Sequence, residues 1–399
     1  MSKRVPPYLF GLLVAVLSNC TIQCEQAPPP NIIVILADDM GWADLGPGSN
    51  LDAPHLDQLA REGVRLSRFY ASAPICSPTR AALLTGRYPH SVGVPEIAAP
   101  QAQWGIPKLS LDHSAVTIPE VLKARRYESV LIGKWHLGFD PSAWPRTHGF
   151  DLFWGTLAGA SDYYDVKGGY HNETHTEIAG YYTDAITDRA IDYLKTREAD
   201  RPIFLYLSYT APHYPLEAPA ELVDKYRTRY EDELFATYAA MLEQLDTGIG
   251  RILTTLDELG LRDNTLVIFM SDNGPSAEPK SYGPRRADIS NGPLRERKFS
   301  TYEGGIRVPF VARWPERTPA GLQRSEVAVT MDILPTILDA VGLPVPEDME
   351  MHWAVIDVVA SGAGLFQEKR GSLGDATQHG SDPWRLETGA PILDSAKTL

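Results

Sequence analysis

Long hydrophobic runs are missing from the 399-residue chain. The apolar stretch from Tyr8 to Leu17 has about 10 residues, whereas a helix needs about 20 to cross a bilayer, so no membrane span is expected. Because Lys3 and Arg4 precede this stretch, residues 1–24 are expected to be a signal peptide. The protein is then secreted, periplasmic or lysosomal, with simple export favoured over lipid anchoring.

Cysteine is scarce, with three in the chain, and Cys20 and Cys24 lie in or beside the expected signal. A mature chain without those two keeps Cys76 alone and cannot form an internal disulfide. A single thiol is unusual in an exported protein. Position alone leaves two readings of Cys76 open, a buried inert side chain and a functional one.

Positive charge is in deficit, since 37 Lys and Arg residues stand against 51 Asp and Glu residues, for a net charge of −14. An acidic surface repels nucleic acids and anionic membranes, which excludes both as natural partners. If the substrate is an anion, cationic side chains therefore have to be gathered locally at the site.

Short apolar runs alternate with amphipathic stretches from Asn31 to about Gly342. This alternation predicts an α/β fold with a mainly parallel central sheet flanked by helices. One large domain is expected over residues 31–345, followed by a divergent or truncated C-terminal segment over 346–399, where the composition becomes polar. Helices are expected at Ala185–Thr196, Leu234–Leu259 and Asp332–Val341.

Four of the apolar runs stop abruptly at polar residues. These residues are, in chain order, Asp38 with Asp39, Lys134 with His136, His213, and Asp272 with Asn273. Parallel strands bring their carboxyl ends to one edge of a sheet, where α/β folds bind ligands. Any one of these residues could be only a turn signal. Four runs with complementary chemistry favour one shared cleft.

The polar residues that follow the first and the last of these runs offer oxygen atoms as metal ligands. Three carboxylates and an amide suit a hard divalent cation, Ca²⁺ or Mg²⁺. Without such an ion, adjacent buried carboxylates would repel one another. The absence of cysteine and paired histidine ligands argues against structural zinc. The candidate ligands are Asp38, Asp39, Asp272 and Asn273.

A helix is predicted downstream of Cys76, because Pro78 suits a first turn and alanine and leucine residues follow it. Cys76 is expected just before the N-terminus of this helix, where free backbone N–H groups attract anions. Arg80 adds positive charge one turn into the helix. The alternative is a capped surface helix with an incidental cysteine.

The stretch CSPTR at Cys76–Arg80, followed by LTGR at Leu84–Arg87, resembles the signature of the type I sulfatase (arylsulfatase) family. That signature is C-x-P-[S/T]-R with T-G-R downstream. Other segments are similar to family segments and occur in the family's order: NIIVILADDMGWADLG, GKWHLG, APHYP, SDNG and KFSTYEGGIRVP. The resemblance implies an alkaline-phosphatase-like fold, here with a reduced or incomplete C-terminal subdomain.

The resemblance also implies an enzyme, a sulfuric ester hydrolase. In the family a formylglycine-generating maturation enzyme oxidises the signature cysteine, so this enzyme is an expected partner and Cys76 is expected to become formylglycine. One calcium ion per chain is implied, held by Asp38, Asp39, the modified Cys76, Asp272 and Asn273. The other active-site residues implied are Arg80, Lys134, His136, His213 and Lys298.

The resemblance implies a sulfated small molecule or glycan as substrate, either an aryl or a carbohydrate sulfate. Two alternatives stay open at this stage. A phosphate- or phosphonate-ester hydrolase of the same superfamily shares the metal site and can share formylglycine. A non-catalytic protein that binds anionic glycans would keep the fold if Cys76 were never matured or the short C-terminus disabled the site.

Overall fold

The computed structural model describes residues 28–46, 49, 51–102, 107–276, 291–345, 355–356 and 366–367. The expected signal peptide lies outside the described residues. The expected C-terminal segment also lies outside them, apart from residues 355–356 and 366–367. Within the described ranges, no helix combines the length and the apolar character that crossing a membrane requires.

Eleven of the described strands form one sheet, in the order β11-β2-β10-β8-β1-β7-β3-β4-β5-β6, with β9 paired to β2. The central strands β8-β1-β7-β3-β4 are parallel, and antiparallel pairs flank them. The strands are β1 (Asn31–Ala37), β2 (Val64–Tyr70), β3 (Glu128–Lys134), β4 (Leu152–Thr156), β5 (Tyr164–His171), β6 (Thr174–Tyr181), β7 (Ile203–Ser208), β8 (Thr265–Ser271), β9 (Arg307–Val308), β10 (Phe310–Arg313), β11 (Leu322–Val329), β12 (Val355–Ile356) and β13 (Phe366–Gln367).

Helices cover both faces of this sheet, which confirms the expected α/β class. They are α1 (Pro54–Glu62), α2 (Cys76–Thr85), α3 (Ile118–Leu122), α4 (Tyr182–Thr196), α5 (Ala220–Arg227), α6 (Glu233–Glu258), α7 (Glu303–Ile306) and α8 (Ile333–Ala340). The three helices expected from the sequence are α4, α6 and α8. The last begins at Ile333 because the preceding turn, Thr330–Asp332, is a 3₁₀ helix.

The central strands are buried on both sides, which explains why their sequences are continuous apolar runs without alternation. In β1, Ile32 and Val34 belong to the core shared with α2 and α8. Ile33 and Ile35 belong to the core shared with α1, α4 and α6 on the other face. Every residue of β1 is buried.

The register of these strands brings their carboxyl ends level with one another. Leu36 of β1 and Gly133 of β3 both pair with Ser208 of β7. Ala37 of β1 pairs with Ser271 of β8. The residues that follow β1, β3, β7 and β8 therefore meet at one edge of the sheet.

Candidate active site

Cys76 is the first residue of α2, a helix that is buried along its whole length. The sequence placed Cys76 just before the helix. The helix starts earlier because Ile75, with φ −151° and ψ 158°, is the extended residue that ends the preceding loop. The helix ends at Thr85 and is capped by Gly86, which has φ 64° and whose N–H donates to the carbonyl of Ala82. At the other end, the backbone N–H groups of Cys76 and Ser77 have no carbonyl partner within the helix, as at any helix start.

The Arg80 guanidinium is fully buried one turn further along and is fixed by groups from three strand ends. Its Nε and Nη2 donate to Asp272 Oδ2 at 3.0 and 2.8 Å. Its Nη1 donates to Ser208 Oγ at 2.5 Å and to the Lys134 carbonyl at 3.3 Å. Because a buried unpaired charge is costly, these contacts hold the cation in one position.

Two lysines complete the positive side of the site. Lys134 Nζ lies 2.5 Å from Asp38 Oδ2, and both side chains are fully buried. Lys298 Nζ lies 2.6 Å from Asp39 Oδ1 and is 4% exposed. Three buried cations therefore face three buried carboxylates, so the site needs further positive charge to bind an anion.

Three oxygen atoms of the site are buried and have no hydrogen-bond partner among the described residues: Asp38 Oδ1, Asp39 Oδ2 and Asn273 Oδ1. Buried polar atoms without partners are rare in native proteins. Ligand atoms of Asp38, Asp39, Cys76 and His213 lie within 4.8 Å of one another. This donor set fits a hard divalent cation, whose charge would satisfy these oxygens.

Asp272 is the most crowded of the carboxylates. Burial and the neighbouring Asp38 raise the pKa of Asp272 to about 6, although Arg80 opposes the shift. Both of its oxygens already accept hydrogen bonds, Oδ2 from Arg80 and Oδ1 from the Asp39 amide at 3.2 Å. A cation bound among these carboxylates would relieve their repulsion.

The backbone at Asp39 adopts the left-handed region, with φ 65°, which is costly for a residue other than glycine. Neighbouring hydrogen bonds hold this conformation. Ser271 Oγ accepts from the Met40 amide at 3.0 Å. Asp44 Oδ2 accepts from the Gly41 amide at 2.7 Å. The loop that carries Asp38 and Asp39 is therefore fixed from the end of β8 and from within itself.

The two histidines of the site have opposite electrostatic surroundings. Burial and the nearby Lys134 lower the pKa of His136 well below its ordinary value, which keeps it neutral. Burial would also lower the pKa of His213, but Asp39 and Asp38 outweigh it and raise that pKa. His213 Nε2 lies 3.6 Å from Asp39 Oδ2. The pair therefore offers one proton acceptor and one proton donor near neutral pH.

The Cys76 thiol lies in the same field of charges. Burial would raise its pKa, yet Lys134 and Lys298 hold the pKa of Cys76 well below its ordinary value, and a hydrogen bond with His213 acts in the same direction. A thiolate is the form of cysteine that reacts with oxidants and binds metals.

Every residue predicted for the site lies in this cluster, and the structure adds some that sequence reasoning missed. Ser208 binds Arg80, and Ser271 binds the Asp39 loop. Tyr163 Oη lies 2.7 Å from the Thr210 carbonyl and 2.9 Å from that of His213, and so fixes the His213 loop. The two serines end apolar runs, as the predicted residues do, and that position is the signal that could have identified them.

The buried carboxyl group of Asp44 is expected to make the protein's stability depend on pH. Burial raises the pKa of Asp44 from 3.8 to about 8, against hydrogen bonds from Tyr238 and Gly41. The native state therefore keeps a proton that the unfolded chain releases, and the resulting stability is lost as the pH rises from about 4 towards 8. This loss amounts to about 1.4 kcal/mol per pH unit. Asp44→Asn, which is neutral at every pH, should remove that part of the slope.

Urea unfolding at several values between about pH 5 and pH 7.5 measures this slope. Asp188→Asn is the matched control, since Asp188 is 58% exposed and paired on the surface with Arg251. We expect the control to keep the slope of the natural protein. An unchanged slope in Asp44→Asn would show that this carboxyl group does not hold a proton in the native state.

The sequence and the fold of this chain are both similar to those of known proteins. A family model described as Sulfatase matches residues 30–343. The N-acetylgalactosamine-6-sulfatase of Canis lupus familiaris is 36% identical over an alignment covering 84% of this chain and 67% of that protein. An uncharacterized sulfatase of Schizosaccharomyces pombe is 32% identical, covering 80% of this chain and 76% of that protein. The solved structure of Ps i-CgsB in complex with k-i-k-neocarrahexaose is 33% identical, with a TM-score of 0.73, and covers 82% of this chain and 74% of that one.

Proposed function

Since this chain belongs to the sulfatase family and is a hydrolase of sulfate esters, we propose that it cleaves a carbohydrate sulfate with a formylglycine at Cys76 and a bound calcium ion. The observation that carries this proposal is the convergence of one buried cysteine, three cations and three carboxylates at the carboxyl edge of the sheet. This arrangement can accommodate an anionic ester beside a divalent cation.

The anion-binding side consists of Arg80, Lys134 and Lys298 with the first turn of α2. These groups would neutralise the oxygens of the sulfate and orient its sulfur towards residue 76. Arg80 is held by Asp272 and Ser208, so little reorganisation is needed when the ester binds. Oxidation of Cys76 would supply a hydrated aldehyde as the nucleophile, with a second hydroxyl through which sulfate can be released.

The metal side consists of Asp38 Oδ1, Asp39 Oδ2 and Asn273 Oδ1, which accept no hydrogen bond from the part of the chain that the structure describes, together with Asp272 and the modified residue 76. Calcium bound there would act as a Lewis acid on a sulfate oxygen. Asp38 and Asp39, which pair with Lys134 and Lys298, would share their negative charge with the cation. The two lysines would then be available to bind the substrate.

Proton transfer divides between the two histidines. His213, whose pKa is raised by Asp39 and Asp38 against burial, would protonate the departing oxygen together with Lys298. His136, whose pKa is lowered by burial and by Lys134, would accept a proton from the hydroxyl at residue 76 when sulfate leaves. Asp272 would accept the proton released when that hydroxyl first attacks sulfur.

The role of His213 predicts a leaving-group effect. A phenol with strong electron withdrawal, such as 4-nitrophenol, departs without protonation, whereas a sugar alcohol does not. We expect His213→Ala to lower kcat for an alkyl or sugar sulfate by about 10²–10⁴-fold and for 4-nitrophenyl sulfate by less than about tenfold. A series of aryl sulfates with leaving groups of rising pKa measures the difference. An equal loss across the series would remove the general-acid role from His213.

The function itself is tested with matched 4-nitrophenyl sulfate and 4-nitrophenyl phosphate. The two esters have similar shape and differ in charge, so their comparison isolates the preference of the site. We expect kcat/KM to favour the sulfate by at least about 100-fold, which is about 2.7 kcal/mol of transition-state binding. A preference for the phosphate would contradict the proposal.

A carbohydrate sulfate is proposed as substrate for two reasons. The canine relative is named as an N-acetylgalactosamine-6-sulfatase, and the similar structure of Ps i-CgsB was solved in complex with a neocarrahexaose. We further propose export through a signal peptide at residues 1–24, a catalytic domain over residues 31–345 and maturation by a formylglycine-generating enzyme. The low pKa of Cys76, which Lys134 and Lys298 maintain against burial, favours its oxidation.

A further inference from the structure

The Phe299 ring lies at the boundary between the active site and solvent. Its centroid is 5.8 Å from Lys298 Nζ, which itself lies 2.6 Å from Asp39 Oδ1 inside the site. Yet Phe299 is 64% exposed, whereas the Lys298 side chain is 4% exposed. A large apolar ring is thus held in water next to a buried catalytic cation, without packing into the core.

The backbone holds this ring in place at a conformational cost. Phe299 has φ 72°, in the left-handed region that bulky residues rarely adopt. Its N–H donates to the carbonyl of Pro74 at 2.9 Å, and the Lys298 N–H donates to that of Pro275 at 3.1 Å. Pro74 lies two positions before Cys76, so Phe299 is tied to the loop that delivers the nucleophile. Strain of this kind persists where the surroundings impose it, and it clusters at functional sites.

We propose that Phe299 forms a wall of the leaving-group pocket and packs against the ring that bears the sulfate ester. This inference rests on the proposed function, because it places the leaving oxygen beside Lys298. Aromatic rings that pack against each other have centroids about 4.5–7 Å apart. Because the Phe299 centroid lies 5.8 Å from Lys298 Nζ, a ring attached to an oxygen that Lys298 contacts lies close enough to pack against Phe299. The pocket is therefore expected to favour a sulfate carried on a ring, such as the ring of the proposed carbohydrate substrate, over one carried on a short alkyl chain.

Binding to the Cys76→Ala variant tests the proposal, since this variant cannot turn the ester over. Calorimetry with four ligands is informative: inorganic sulfate, ethyl sulfate, 4-nitrophenyl sulfate and N-acetylgalactosamine 6-sulfate. When Phe299→Ala is combined with Cys76→Ala, we expect the tighter-binding of the two ring-bearing ligands, 4-nitrophenyl sulfate or N-acetylgalactosamine 6-sulfate, to bind about tenfold more weakly. It should leave inorganic sulfate and ethyl sulfate within about twofold. The two ring-bearing ligands show whether an aryl or a sugar ring is preferred.

Two further variants sharpen the result. Phe299→Tyr keeps the ring and should restore binding. Leu259→Ala removes a 39% exposed apolar side chain at the opposite end of the sheet, beyond α6, and should change nothing. Equal weakening of all four ligands would show that Phe299 only supports Lys298, and no weakening would show that the ring is outside the pocket. Either result overturns the proposal. If the natural protein fails to hydrolyse sulfate esters while the binding pattern holds, the proposed function fails and the pocket wall stands.

Discussion

Cys76→Ser is expected to lose multiple turnover, with kcat reduced by at least about 10⁴-fold. A serine hydroxyl at the start of α2 still meets Arg80, Lys134 and Lys298, so it can attack the sulfur. It has no second hydroxyl through which sulfate could be expelled. The variant should therefore stall after one attack, with the protein mass raised by about 80 Da from the retained sulfate. Intact-protein mass spectrometry after incubation with 4-nitrophenyl sulfate measures this gain.

Cys76→Ala is the matched control, because it removes the nucleophile and leaves the rest of the helix start unchanged. It should show neither turnover nor a gain in mass. Sustained turnover by Cys76→Ser, at a rate near that of the natural protein, would contradict the role proposed for an oxidised cysteine. Loss of activity without the gain in mass would mean that attack itself, and not release, is blocked in the serine variant.

Asp39→Ala is expected to lower kcat/KM by at least about 10³-fold and to abolish stabilisation by calcium. The buried Oδ2 of Asp39 has no hydrogen-bond partner among the described residues, and its Oδ1 accepts from Lys298 and Asn273. In the natural protein, free calcium at about 100 times its Kd should raise the free energy of unfolding by about 2.7 kcal/mol. The variant should show no such increase.

Unfolding of chelator-treated protein with and without added calcium measures this effect. The loss of a partner for Lys298 would destabilise both samples equally, so the difference between them reports metal binding alone. Asp188→Ala, at an exposed carboxylate paired with Arg251, should keep the full calcium effect. An Asp39→Ala protein that gains as much stability from calcium as the natural protein would remove Asp39 from the proposed ligands.

The strands and their polar ends could be predicted because burial on both faces leaves a continuous apolar run in the sequence. Each run stops where the chain leaves the sheet, so Asp38, Lys134 and Asp272 can be identified as strand ends from the sequence alone. The parallel arrangement then requires their proximity, and the observed pairing of Leu36 and Gly133 with Ser208 supplies it. The family resemblance added the residues for which the local pattern is weak, such as Lys298.

What the sequence did not predict depends on contacts between distant parts of the chain. The left-handed backbone of Asp39 needs Ser271, more than 200 positions away. The pKa of Asp44 depends on burial in the folded protein, which raises it, and on the hydrogen bond from Tyr238 of α6, which lowers it. The exposed ring of Phe299 is held by the loop before Cys76. None of these contacts leaves a periodic pattern in the sequence, because each joins single residues that lie far apart in the chain.

Mass spectrometry of the peptide that contains Cys76 tests the proposed chemistry most directly. Trypsin cuts after Arg68 and Arg80, so the peptide spans residues 69–80. In protein made by a host that matures sulfatases, we expect this peptide to be about 18 Da lighter than the cysteine form, as conversion to formylglycine requires. Active protein in which the peptide carries only an unmodified thiol would contradict the proposed mechanism.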